Sequence, residues 1–165
     1  MKKIFITIFT VLATLQMSAQ LVSVDELSKI IKEPNLVVID ARPAGDYLKT
    51  HIDGAINIDA TSLSTNTPVE GTLKSASDLA NIFASSGVTP KNKVIIYCKT
   101  GVSAGRMYWV MKHIGFKDVS LLDGNMAGWF AARKPITKNA KKLAAASFTP
   151  TVNASMLATK DYVKS

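Results

Sequence analysis

Two runs of four residues, Leu36-Val37-Val38-Ile39 and Val94-Ile95-Ile96-Tyr97, most constrain what this chain can become. Each is apolar throughout and rich in β-branched residues, and each stands among helical patterns. A strand that is apolar on both sides must be covered on both sides, which is the condition of a parallel sheet between two layers of helices. Ile56-Asn57-Ile58 and Val119 to Leu122 read as two further strands. The helical patterns alternate with them. Ser23 to Ile31 starts with a capping box, Ser23 with Glu26, and places Val24, Leu27 and Ile31 on one face. Ser75 to Ser86 carries Leu79, Ile82 and Phe83. Gly105 to Ile114 repeats Met107, Val110, Met111 and Ile114 at i, i+3, i+4 and i+7. Met126 to Ala132 makes a short last helix. Residues 60–74, rich in Thr and Ser with Pro68 and Gly71, predict a surface loop. Alternation of this kind defines an α/β domain.

Ligands of open parallel sheets bind beyond the carboxyl ends of the strands. Two predicted strands end there in chemically capable residues, Asp40-Ala41-Arg42 and Cys98-Lys99-Thr100-Gly101, and both should open on the same edge. Cys98 is the only cysteine of the 165 residues. An unpaired cysteine points to a reactive thiol or an intermolecular bridge, with a buried inert residue as the plain alternative. Its neighbours decide. The short loop from Lys99 to Ser103 contains Gly101, which permits an unusual turn. Its N–H groups can gather around the sulfur, and a helix expected to start near Ala104 or Gly105 adds its positive end. Both effects favour the thiolate. Lys99 and Arg106 add positive charge suited to an anionic substrate.

Charge and the two termini bound the partners. The net charge is +8, yet residues 20–132 hold eleven basic and eleven acidic residues, so the basicity belongs to the ends. The C-terminal share (Arg133, Lys134, Lys138, Lys141, Lys142, Lys160 and Lys164) is not interleaved with aromatics that could stack on bases, which argues against a nucleic-acid partner. At the other end, Lys2 and Lys3 precede an apolar stretch of twelve residues, Ile4 to Leu15, and Met17-Ser18-Ala19 offers a cleavage site before Gln20. Residues 1–19 therefore predict a secretory signal peptide, an exported (periplasmic or secreted) protein, and no stable membrane insertion once the signal is removed. The stretch is shorter than the roughly 20 residues a bilayer span needs.

The stretch Tyr97-Cys98-Lys99-Thr100-Gly101-Val102-Ser103-Ala104-Gly105-Arg106 resembles the active-site loop of the rhodanese family. Three more motifs follow the family's order: Asp40-Ala41-Arg42 with Tyr47, His51-Ile52-Asp53-Gly54-Ala55-Ile56-Asn57, and Leu122-Asp123-Gly124 with Gly128-Trp129 and Pro135. The resemblance spans residues 21–137 and implies a rhodanese-like α/β fold, a parallel five-stranded sheet with helices on both faces. It implies a sulfurtransferase in which Cys98 is catalytic. Cys98 would take the outer sulfur of thiosulfate or a similar small anionic donor as a persulfide, then yield it to cyanide, a thiol or a protein acceptor. On this reading Lys99, Thr100, Gly101, Val102, Ser103 and Arg106 bind substrate, Asp40 and Arg42 form a structural pair bracing the edge, and no metal or organic cofactor is needed. His51 is expected as a hydrogen-bonded turn residue, and Trp109 and Trp129 as packing residues. The sequence departs from the family pattern at Thr50, where many members have glycine, and at Ser103, where an arginine is usual. It departs again at Asp46, which stands where the two-domain enzymes carry a substrate-binding arginine; pointing inward it would repel an anionic donor.

Two rival classes are separable by residues. Cysteine phosphatases of related fold need an arginine six residues after the cysteine, and here that position is Ala104. A non-catalytic binding or sulfur-relay module is the other rival, and the presence of Cys98 distinguishes the two. The domain is expected over 20–137, with 138–165 as a basic tail in which Lys138 to Ala146 forms a linker or short helix. Met156 to Lys164 also resembles Gln20 to Ser28 position by position, Leu157 matching Leu21, Thr159 matching Ser23, Asp161 matching Asp25 and Val163 matching Leu27. The tail is therefore expected to carry the opening of a second repeat, either packed as an arm or disordered, the alternative being a simple tail.

Overall fold

The computed structural model describes residues 21–67, 69–158 and 163–164; the signal segment 1–19 and residues 159–162 of the proposed repeat lie outside the described residues. Strand β1 (Leu21–Val22) leads into helix α1 (Val24–Ile30) through Ser23, whose hydroxyl accepts the Glu26 N–H at 3.2 Å. Next come β2 (Leu36–Asp40), α2 (Ala44–Lys49), β3 (His51–Ile52) and β4 (Ile56–Asn57). A 3-10 turn at Ala60–Leu63, capped by Asp59, opens a small hairpin of β5 (Ser64–Thr65) and β6 (Thr72–Leu73). Helix α3 (Ala76–Ser85), capped by Ser75, precedes β7 (Lys93–Tyr97) and α4 (Val102–His113). Strand β8 (Val119–Leu122), α5 (Asn125–Ala131) and β9 (Ile136–Thr137) complete the domain.

The sheet order is β1-β8-β7-β2-β4 and every pairing is parallel. The alternation within the central strands fills two separate cores. Val37, Ile39, Val94 and Ile96 face a cluster with Leu79 and Phe83 of α3 and Met107, Val110 and Met111 of α4. Leu36, Val38, Ile95 and Tyr97 face the other side, with Leu27 of α1 and Met126 and Trp129 of α5. Burying one such aliphatic side chain contributes about 1.5–3 kcal/mol, so the twin cores carry the fold. Trp129 also donates its indole N–H to the Pro135 carbonyl at 2.8 Å.

Two expectations need correction, for residues 60–74 and for His51, and two that were left open are now assigned. The fifth strand is Leu21–Val22, two residues with no periodicity to read, which become a strand because β8 offers partners at Leu121 and Leu122. Residues 60–74 are not wholly loop, since the 3-10 turn and the β5–β6 hairpin lie within them. His51 is fully buried on β3 rather than in a turn; β3 pairs antiparallel with β9, and the imidazole hydrogen-bonds through Nδ1 to the Tyr47 carbonyl at 2.7 Å and through Nε2 to the Asn139 carbonyl at 3.2 Å. Lys138 to Ala146 forms neither helix nor strand, which leaves the linker of the two readings.

That linker begins an arm that packs along the domain. The Lys141 N–H donates to Tyr47 Oη at 3.0 Å, the Ala146 N–H to the Ala84 carbonyl at 2.8 Å, and the Thr151 N–H to the Ile114 carbonyl at 3.1 Å. Phe148 meets Phe116 edge-on with centroids 5.5 Å apart, and the Trp109 indole donates to the Met156 carbonyl at 2.8 Å. His113, the last residue of α4, hydrogen-bonds the Asn153 carbonyl at 3.0 Å. The approach is close: a Cβ at Gly87 would stand 2.5 Å from that of Leu143. No helix among the described residues is long and apolar enough to cross a membrane.

Candidate active site

Strands β2 and β7 are neighbours in register, with Asp40 opposite Tyr97, so the residues that follow them emerge side by side at one edge of the sheet. The β2 end is a closed polar knot. Asp40 is fully buried; its Oδ1 accepts the Arg42 backbone N–H at 3.0 Å and Nε at 2.9 Å, and its Oδ2 accepts Arg42 Nη2 at 2.6 Å and the Tyr97 hydroxyl at 2.8 Å. Arg42 Nη2 also donates to the Thr50 carbonyl at 2.7 Å, while Tyr97 Oη accepts the Ile52 N–H at 3.1 Å. Asn57 closes the knot by donating to the carbonyls of Asp40 and Arg42 at 2.9 and 2.8 Å. The hydrogen bond to Asp40 raises the Arg42 pKa. Burial first, and then the Asp40 charge, push the Tyr97 hydroxyl well above its ordinary value. Both carboxylate oxygens of Asp40 are engaged within the knot, which fits the bracing role and leaves Asp40 no approach to a substrate.

The β7 end is built from backbone. Cys98 follows Tyr97 directly, and its sulfur lies under the crest of the loop, where Sγ accepts the Gly101 N–H at 3.0 Å. Gly101 sits at φ 96°, a conformation that sends the chain into α4 at once. The helix therefore starts at Val102, two or three residues earlier than expected. No side chain caps it, so the N–H groups of its first turn lack intrahelical acceptors and face the loop with the positive end of the helix. Cys98 is only 2 % exposed and packs with the α3–α4 core. It is thus a buried residue whose sulfur is held by the loop.

The remaining sequence-derived candidates divide around that loop. Lys99 and Thr100 are exposed, and Val102 is 78 % exposed at the crest. Ser103 and Arg106 are half-buried and line a groove of about 460 Å³ together with Thr61, Ser64, Asn66 and the acidic Glu70. Arg106 Nη2 donates to the Gly71 carbonyl at 2.7 Å, tying the β5–β6 connection to α4. Asp46 lies along the surface of α2 beside Lys49, at 3.6 Å, with half its side chain exposed. Among the described residues no cluster of His, Cys, Asp and Glu is placed to hold a metal ion. Sequence reasoning missed Asn125, whose Oδ1 accepts the Cys98 N–H at 3.0 Å, and Met126, whose N–H donates to the Cys98 carbonyl at 3.1 Å. The only local signal was the Gly124-Asn125 pair before a helix, a turn signature without chemistry.

A parallel α/β domain whose cysteine sulfur accepts a loop N–H at the carboxyl edge defines a class, and residues 23–132 match the rhodanese-like domain family: the chain belongs to it. Among its relatives, the 3-mercaptopyruvate sulfurtransferase of Escherichia coli K12 is 32% identical over 120 residues, covering 66% of this chain and 43% of the relative. The thiosulfate sulfurtransferase of Bos taurus is 28% identical over 142 residues, covering 79% and 48%. The crystal structure of the E. coli 3-mercaptopyruvate enzyme SseA superposes with a TM-score of 0.82 at 28% identity, over 88% of this chain and 60% of that one. The chain spans about half the length of the curated relatives it matches.

Proposed function

We propose that the protein is a sulfurtransferase that carries sulfane sulfur on Cys98. One observation carries the reading: Sγ of Cys98 sits in a backbone cradle, hydrogen-bonded by Gly101, at the positive end of α4. The Cys98 thiolate attacks the outer sulfur of a small anionic donor such as thiosulfate. A bond forms between the two sulfurs, the bond to the rest of the donor breaks, and the leaving group (sulfite, for thiosulfate) departs with the electron pair. A thiol or cyanide then attacks the outer sulfur of the persulfide, and the Cys98 thiolate leaves. This is covalent catalysis that splits one transfer into two easier ones. The exposed Lys99 ammonium and the groove wall of Ser103 and Arg106 supply donors and positive charge for the anion. Sulfurtransferase relatives on both the thiosulfate and the 3-mercaptopyruvate side support the activity at family level. Export is part of the same proposal and rests on the residue pattern of 1–19.

The test is an intact mass after incubation with thiosulfate and, separately, with 3-mercaptopyruvate. The expected result is a gain of one sulfur atom that cyanide removes, present in the wild type and absent in Cys98→Ser with an unchanged melting temperature. No adduct with either donor, or an adduct that survives in Cys98→Ser, would sink the mechanism and favour a binding module.

A further inference from the structure

The peptide that joins Tyr97 to Cys98 has both of its polar groups taken, from opposite sides. Its carbonyl accepts the Ala41 N–H at 2.9 Å, beyond the end of β2. Its N–H donates to Asn125 Oδ1 at 3.0 Å, beyond the end of β8. The second bond is not part of the strand ladder. The β7–β8 pairing runs through Ile96 and Leu121, after which β8 ends at Leu122 and the chain turns away into α5. Asn125 supplies with its side chain the rung that the departing backbone no longer can. It does so from φ 51°, a left-handed conformation uncommon outside glycine but one that asparagine tolerates. Its amide nitrogen also lies 3.5 Å from where a Cβ on Gly101 would stand, beside the residue whose N–H reaches the sulfur. One side chain therefore touches both the start and the crest of the loop that closes on Sγ.

We propose that Asn125 is a positioning residue for the sulfur chemistry. By holding the Cys98 N–H and flanking Gly101 it fixes where Sγ stands relative to the loop N–H groups. An amide does not titrate in the working range, so Asn125 moves no proton; its effect is geometric. The proposal rests on the sulfurtransferase reading for its kinetic consequence, while its structural half can be tested without it. A residue needed only to start α5 would be replaced best by glycine, which adopts a positive φ readily. Glycine at 125 thus keeps the backbone and removes only the oxygen, separating the two roles.

The experiment compares the full chain with Asn125→Gly and Asn125→Asp, the latter keeping an acceptor oxygen. Amide exchange at Cys98 is measured in each, with the rate of iodoacetamide alkylation and the kinetics of persulfide formation from thiosulfate. In Asn125→Gly the Cys98 N–H should exchange faster and kcat should fall by about 10- to 100-fold, the scale of a displaced reacting atom, with KM for thiosulfate nearly unchanged. In Asn125→Asp the Cys98 N–H should stay protected. Wild-type kcat in Asn125→Gly, or exchange at Cys98 no faster than wild type, overturns the proposal; so does equal loss of protection in Asn125→Asp. If the wild type takes up no sulfur, the sulfurtransferase reading fails alone, and exchange and alkylation still decide the role of Asn125.

Discussion

The ends of β2 and β7 lie next to each other, yet they are built on opposite plans. At β2 the side chains of Asp40, Arg42 and Tyr97 bond one another, and Asn57 ties the backbone around them. At β7 the side chains of Lys99, Thr100 and Val102 turn to solvent, and a backbone N–H, that of Gly101, holds the sulfur. The difference teaches a division of labour. Buried charge fixes the edge, because a paired carboxylate that loses its partner cannot be left dry. The loop beside it can then present N–H groups, which need no side chain and leave room for a substrate. The largest test of this contrast is Arg42→Ala. It leaves the fully buried Asp40 with the Tyr97 hydroxyl as its only side-chain donor, and should cost about 3–5 kcal/mol. That corresponds to a fall in melting temperature of about 10 °C for a domain of this size, read by calorimetry. A normal melting temperature with lost sulfur transfer would reverse the assignment and place Arg42 on the substrate.

Tyr97→Phe is a gentler cut at the same knot. It orphans the Ile52 N–H and removes one donor to Asp40, a loss of about 1–3 kcal/mol. It should also change the alkaline limb of the stability profile. Because the folded protein holds the Tyr97 proton more tightly than the unfolded chain does, the contribution is complete below the unfolded value of about 10 and is lost as pH rises above it. Chemical denaturation at successive pH values should therefore show a shallower alkaline decline in the variant. An unchanged slope would mean that Tyr97 is not part of the electrostatic brace. The smallest effect belongs to the β7 side. Lys99→Ala removes an exposed charge, so stability should stay within about 0.5 kcal/mol. Use of an anionic donor should weaken more than use of a neutral one, and the gap should close at about 1 M salt, where the Debye length is near 3 Å. Equal loss for both donors at all salt concentrations would make Lys99 a structural residue and blur the contrast.

How far this edge could be read from sequence follows the same division. The strands around Val37 and Ile95 and the helical stripes of α3 and α4 were legible, because burial on one or both faces leaves a period in the residues. The site's location was legible too, since Asp40 and Cys98 end adjacent apolar runs. The family resemblance added the fifth strand, but not which residues form it; Leu21–Val22 is too short to carry a pattern and exists only through β8. Asn125 was invisible because its partner is a backbone N–H 27 positions away, a contact with no residue preference on the Cys98 side. The arm could be offered only as one of two fates for the tail, because backbone carbonyl and N–H groups at Ala84, Ile114 and Ala146 hold much of it and leave no residue pattern. The start of α4 shifted because one φ angle at Gly101 saves the turn that the pattern had allowed for.

The burial of Cys98 also bears on whether a lone thiol can cross-link. Two sulfurs must come within about 2 Å to bond, with their β-carbons near 4 Å apart. A cysteine only 2 % exposed, its sulfur bonded to the Gly101 N–H, is poorly placed to meet its counterpart in another copy while the loop is closed. The same roof that holds the sulfur thus sets a limit by girth: at 2 % exposure of Cys98, small reagents are favoured over the bulk of a folded partner unless the loop opens.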